Sequence, residues 1–287
     1  MNGIINVYKE CGYTSHDVVA KLRGILKQKK IGHTGTLDPE AEGVLPVCLG
    51  KATKLCDLLA GHDKVYEAVM LLGQSTDTQD TTGTVLESAT VTASEEEVRE
   101  AVLSFEGPYE QIPPMYSALK VNGQKLCDLA RKGRQVERQP RPVTIHELTL
   151  LSREGDTLHL RVRCSKGTYI RTLCADIGEA LGCGGCMQAL RRTQAGEYTI
   201  AEAVPLQQLL EAAEPETYLR DVDTMFRGYP GVKLTTNQEK RCRNGNAFSV
   251  SLPGGTYRAY SQSGEFLMLA KVEDGVMSTI KSFFDVQ

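Results

Sequence analysis

The 287-residue sequence contains no Trp, and aromatic residues make up only 6% of it. Such a chain has little ring surface on which to stack a sugar. No run of about eighteen apolar residues occurs, so no segment reads as a membrane-spanning helix. The first residues lack the basic-then-apolar order of a secretory signal, and a cytoplasmic location is expected. No P-loop and no GxGxxG is present, so no nucleotide cofactor is indicated. Cys183-Gly-Gly-Cys186 is a CxxC without a second CxxC or a His pair. Structural zinc takes four such ligands, so neither metal nor cofactor is expected. The nine Cys are odd in number and scattered, and Cys48, Cys56 and Cys174 sit in apolar runs. That usage suits reduced thiols rather than a disulfide scaffold.

The chain also lacks a strong charge of either sign, with a net value of −3. A nucleic-acid binder of this balance must segregate its charges. Two basic clusters do so. Lys21, Arg23, Lys27, Lys29 and Lys30 form the first. Lys120, Lys125, Arg131, Lys132, Arg134, Arg138 and Arg141 form the second, opposed between positions 120 and 141 by Asp128 and Glu137 alone. Such runs are usually solvated faces, and phosphate contact is the other reading.

At 41% hydrophobic residues the chain can build one large or two ordinary cores. Strands are expected over 3–8, 44–49, 64–72, 143–151 and 157–163, the last two joined at Glu154-Gly155-Asp156. Val18, Val19, Leu22, Ile25 and Leu26 recur at helical spacing after Thr14 or Ser15, either of which is an N-cap. Helices are also expected over 52–59, 126–130, 205–213 and 236–243. Another opens at the capping box Ser94 to Glu97, and a further one, ended by Gly182, turns Leu173, Ile177 and Leu181 inward. Charge, Gly and Pro mix over 214–231, which marks a boundary: residues 1–228 as the main domain and 229–287 as a small, mostly-β one.

One stretch fits neither period. Gly32 to Pro46 reads GHTGTLDPEAEGVLP, with three Gly and three acids. Pro39 disfavours a helical Asp38, and a buried strand follows at once. A carboxylate is therefore presented by a shaped loop at a sheet edge; taken alone, this is also how an acidic turn reads.

GHTGTLDPEAEGVLPVCLGKATK resembles the signature of the TruB family, the synthases that make pseudouridine 55 in the TΨC loop of tRNA. DKVYEA, GQSTDTQDTTG, IPPMYSALK, CSKGTYIRTL and ALRRTQAGEY follow in the family's order across roughly the first 210 residues. Glu10 departs from the pattern, standing where the family usually has Pro. The resemblance implies an α+β fold, a mixed and largely antiparallel sheet with flanking helices. It implies a thumb insertion over about 107–141 and a PUA-like RNA-binding domain at the C-terminus. A tail that only packs on the main domain is the other reading of that end. The resemblance makes Asp38 the catalytic nucleophile, Arg171 its cationic partner, and Tyr66 a stacking and proton-moving group. It places His33, Tyr169, Leu190, Lys9 and Asp80 at the substrate, with Arg131, Lys132 and Arg134 on the thumb. The expected partner is tRNA, the expected state a monomer, and no cofactor is implied.

Three rivals compete with this reading. A tRNA-folding chaperone would use the same surface without the chemistry. A guide-RNA-dependent synthase belongs to the same superfamily, though the chain has no long basic tails. A glycoside hydrolase would pair Asp38 with Glu42.

Overall fold

The computed structural model describes residues 1–284. Strand β1 (Gly3–Lys9) leads into α1 (Ser15–Ile25), where the Thr14 hydroxyl and the Asp17 carboxylate each accept the other residue's backbone N–H. That capping box secures the helix start. Val18, Val19 and Leu22 then bury against Ile5 and Val7 of β1. The aperiodic stretch that follows holds a short strand, β2 (Ile31–His33), then the Asp38 loop, then β3 (Glu42–Leu49). Leu45, Val47 and Leu49 of β3 pack under α1, whereas Val44 and Cys48 face a second cluster. A strand covered on both faces needs this nearly continuous apolar run. Each such side chain contributes about 1.5–3 kcal/mol by burial.

The helix expected over 52–59 is a 3₁₀ turn, Gly50–Leu55, passing into α2 (Cys56–Ala60). After β4 (Lys64–Leu72), the polar connection folds into a small hairpin of β5 (Gln74–Thr76) and β6 (Val85–Ser88). Helix α3 (Glu95–Leu103) starts at the Ser94 capping box as expected. Strand β7 (Gly107–Gln111) follows, an edge strand that its Gly and Pro had hidden. So the insertion expected to begin near residue 107 emerges only after Gln111. It carries β8 (Lys120–Val121), β9 (Gln124–Lys125) and α4 (Leu126–Ala130). Met115, Leu126 and Leu129 give it a small core of its own.

β10 (Arg141–Glu154) and β11 (Thr157–Cys164) pair as expected, and α5 (Ile170–Ala180) follows. β12 (Gly185–Ala195), β13 (Tyr198–Thr199), β14 (Val204–Pro205) and α6 (Leu206–Glu211) complete this part. The ten-stranded sheet runs β14-β1-β3-β12-β4-β11-β10-β7, with β2 on β3 and β13 on β12. Only β1–β14 and β3–β12 are parallel pairs, so the sheet is mixed and largely antiparallel. The Cys183-Gly-Gly-Cys186 stretch is the turn from α5 into β12. A Cβ on Gly178 of α5 would lie 2.2 Å from the Gly185 backbone N, so the helix meets this turn backbone to backbone.

The C-terminal part has a five-stranded sheet of β15 (Gly231–Lys233), β16 (Phe248–Ser249), β17 (Gly255–Tyr260), β18 (Phe266–Glu273) and β19 (Val276–Ser282), with α7 (Thr236–Arg243). Leu234, Ala259, Leu267 and Met268 form its own core. Leu269 and Phe283 instead join Ile4, Val44, Leu55 and Phe226 of the main part. Among the described residues no helix is long and apolar enough to cross a membrane.

Candidate active site

The Asp38 loop is held by its backbone from four directions. The Ser15 hydroxyl, at the start of α1, accepts from Leu37 N at 2.9 Å and donates to Leu37 O at 3.3 Å. Gly12 N donates to Pro39 O at 2.9 Å, which ties the β1–α1 turn to the loop. The Lys9 ammonium donates to the carbonyls of Glu10, Pro39 and Ala41. Burial pulls the Lys9 pKa below its ordinary value. Lys9 was expected at the substrate; it is fully buried beneath the loop, where its three donors are taken by backbone. Glu10 at the family's Pro position is accommodated, since the turn is anchored by Gly12 and Lys9 on either side of it.

Arg192 of β12 supplies the fourth hold. Its guanidinium donates to Val44 O at 2.7 Å, Gly35 O at 3.2 Å and Thr36 O at 3.5 Å, so it grips both sides of the loop. Gly43, opposite Arg192 on β3, has φ +108°, and a Cβ there would lie 2.2 Å from the Arg192 carbonyl oxygen. Glycine is required at this position on both counts. In the sequence Arg191 and Arg192 read only as a pair. The alternation of β12, which no local pattern marks, is what turns Arg192 inward and Arg191 outward to Glu42 at 2.6 Å.

Arg171 lies in the first turn of α5 and is 5% exposed. Its Nη1 donates to Thr78 O at 3.0 Å and its Nη2 to Tyr116 O at 2.9 Å. Nε then meets Asp38 Oδ2 at 2.9 Å. The Arg171 side chain is 6% exposed and that of Asp38 41%, so the carboxylate is anchored from below and open above. A buried guanidinium keeps its charge and favours an ionised neighbour. Asp80 belongs to the same group: Oδ2 lies 3.7 Å from Arg171 Nη1, while Oδ1 accepts from Thr78 and Thr82.

Tyr66 and Ala68 share a face of β4, and Leu190 of β12 pairs with Ala68. Leu37, Ala41, Tyr66 and Leu190 belong to one buried cluster at the rim below Asp38. Burial pushes the Tyr66 hydroxyl above its ordinary pKa; Arg192, by charge and hydrogen bond, pulls the other way. Tyr169 stands before α5; burial raises its hydroxyl pKa, while Ser117 and then Arg171 pull the other way. His33 ends β2, with its ring edge-on to His16 at 5.3 Å. Burial, then His16 and Arg192, lower its pKa, and its Nδ1 is buried without a hydrogen-bond partner. Arg131, Lys132 and Arg134 are exposed on the insertion, after α4. The structure therefore gathers Asp38, Arg171, Asp80, Tyr66, Tyr169 and Leu190.

A carboxylate oriented by a buried cation and open on its other side is a group that can act as a nucleophile. Residues 23–170 match the N-terminal domain of the TruB family pseudouridylate synthases. Residues 171–222 match the C-terminal domain of tRNA pseudouridylate synthase B. The tRNA pseudouridine synthase B of Lachnoclostridium phytofermentans is 58% identical over 86% of this chain and 84% of its own. That of Clostridium acetobutylicum is 44% identical over 98% and 99% respectively. Among solved structures, a Cbf5-Nop10-Gar1 complex contains a chain that is 27% identical, with a TM-score of 0.73 over 99% of this chain and 85% of that one. The fold is that of the pseudouridine synthases. The chain belongs to the TruB family.

Proposed function

We propose that this chain converts uridine 55 in the TΨC loop of tRNA to pseudouridine, with Asp38 as the nucleophile. The curated relatives, named tRNA pseudouridine synthase B, support the tRNA substrate. The observation that carries the chemistry is the pair of Arg171 and Asp38 at 2.9 Å, one group buried and the other open.

The reaction is an isomerisation, balanced without oxidant or co-reactant. The C1′–N1 bond breaks, the base turns, C1′ bonds to C5, the C5 proton leaves, and the freed N1 takes up a proton. The target sits in a stacked loop, so it must be extruded, at a cost of a few kcal/mol. His33 helps hold the loop in that flipped arrangement. Tyr66, Tyr169 and Leu190 receive the base. Asp38, aimed by Arg171, attacks C1′ of the ribose or C6 of the ring, and the bond it forms breaks again before the product leaves. Tyr66 takes the proton from C5. It does so as the phenolate, the form that its burial disfavours and that Arg192 beside it favours. Glu42 is engaged by Arg191, which leaves Asp38 without the second free carboxylate that a glycosidase pair needs.

The test is incubation with an unmodified tRNA transcript, without other RNA or protein, followed by mapping of pseudouridine. Product at position 55 alone is expected. No product without an added guide RNA would favour the guide-dependent branch, and product at another uridine would overturn the site.

A further inference from the structure

Gln111 is the last residue of β7 and pairs in register with Arg141, so the two stems of the insertion meet at it. It is 1% exposed, and its carboxamide is fully engaged. Oε1 accepts from Tyr169 N at 2.7 Å, and Nε2 donates to Tyr169 O at 3.0 Å and to the Tyr109 hydroxyl at 2.6 Å. Tyr109 donates onward to Asp176 Oδ2 of α5 at 3.0 Å. The Tyr169 residue is the N-cap of α5 and makes no side-chain cap of its own. The start of that helix is therefore oriented from outside, by a primary amide matched donor to acceptor with one backbone residue. Arg171 lies within the first turn that this clamp orients. The chain that leaves Gln111 returns to Arg171 at once, through the Tyr116 carbonyl.

We propose that Gln111 is a positioning residue for the reaction: by clamping Tyr169 it sets the direction of Arg171, and it ties the Arg171–Asp38 pair to the root of the thumb. It touches neither the nucleophile nor the open side of the site, so its effect passes through the helix start. A helix terminus displaced by about 1 Å is enough to cost on the order of 10²-fold in a reaction that depends on alignment. The proposal rests on the synthase reading above.

Two variants test it. Gln111→Met keeps the volume and removes both hydrogen-bonding functions. Gln111→Glu keeps the acceptor for Tyr169 N, but its ionised carboxylate faces the Tyr169 carbonyl, and only the protonated acid restores a donor. With wild type active on the transcript, both variants are expected to bind tRNA within about twofold of it. Gln111→Met should lower the single-turnover rate by about 10- to 100-fold at every pH. Gln111→Glu should be slow at neutral pH and recover as pH falls, a rise that a merely structural defect does not produce. A second measurement does not use activity: in labelled protein, the Arg171 Nε–H proton signal, protected by Asp38, should exchange faster in Gln111→Met. Rates unchanged in both variants, or rate and affinity lost together with no acid recovery, overturn the proposal. An inactive wild type counts against the synthase reading only, and the proton signal then decides for Gln111: faster exchange in Gln111→Met upholds the clamp, and unchanged exchange overturns it.

Discussion

Tyr66 and Arg192 stand opposite each other on β4 and β12, and the guanidinium that grips the Asp38 loop also faces the hydroxyl of the proposed base. One buried cation thereby fixes the position of the Asp38 loop and the charge felt by Tyr66. The ring and the hydroxyl of Tyr66 should then be separable. Base–aromatic stacking is worth roughly 1–3 kcal/mol, and general base help about 10²–10⁴ in rate. Tyr66→Phe should bind tRNA normally, break the glycosidic bond, and stall before release of product. Tyr66→Leu should also bind the loop more weakly. Single-turnover chemistry and binding on both variants measure this; near-normal product release by Tyr66→Phe would make the hydroxyl a packing group only.

Asp38→Asn should abolish pseudouridine formation and leave tRNA affinity within about tenfold, or roughly 1.4 kcal/mol. The same variant separates the enzyme from a tRNA-folding chaperone. Turnover by a clean preparation, or full loss of binding, would contradict the assignment.

Arg192→Met leaves the carbonyls of Gly35, Thr36 and Val44 without their donor. A buried unsatisfied group costs about 1–3 kcal/mol, so a loss of at least about 2 kcal/mol is expected in urea unfolding. The rate should fall by more than in an equally destabilised variant of the C-terminal core, such as Leu267→Ala. An equal fall in both would reduce Arg192 to a stability residue.

Arg131, Lys132 and Arg134 are exposed, and Arg131 has only a loose surface pair with Asp128 at 3.6 Å. Such a pair contributes about 0–1 kcal/mol and leaves the charge free for phosphate. Reversing all three to Glu should weaken tRNA binding. It should also flatten the salt dependence by about one unit for each phosphate that is no longer held. A slope equal to that of wild type would mark the cluster as a solvated face.

His33 has a pKa lowered first by burial and then by His16 and Arg192. The unfolded chain then takes up a proton near the ordinary value of about 6.5, before the folded one does. Stability should therefore be complete above that pH and decline as pH falls through the lowered folded value. His33→Gln should flatten the decline in melting temperature between neutral pH and about pH 5.5 relative to wild type. Parallel curves for the two proteins would show that His33 does not titrate in this way.

The sequence by itself determined the parts whose pattern is local. The capping box at Ser94, the stripe of α1, and the apolar run of β3 are set by residues a few positions apart, and they fold as read; the cap of α1, open between Thr14 and Ser15 in the sequence, falls at Thr14. The Asp38 loop was legible for the same reason: Gly and Pro around one carboxylate constrain a short backbone. Arg171 was expected beside Asp38 from the family resemblance, but tertiary structure alone decided that Arg192 and Lys9 also serve that loop. Arg171, Arg192 and Lys9 approach from α5, β12 and β1, and no local period distinguishes a buried Arg from a surface one. It also decided the strands that have no period of their own. β7 is masked by Gly107 and Pro108, and β12 by polar residues on its outward face; both form because neighbouring strands complete their hydrogen bonds. The C-terminal sheet is a third case, since no local pattern marks Leu269 and Phe283 as the residues that pack with Ile4, Val44 and Phe226. Burial and pairing between distant segments are properties of the assembled chain, and those two properties assign Lys9 to the loop, Arg192 to Tyr66, and Gln111 to the helix that carries Arg171.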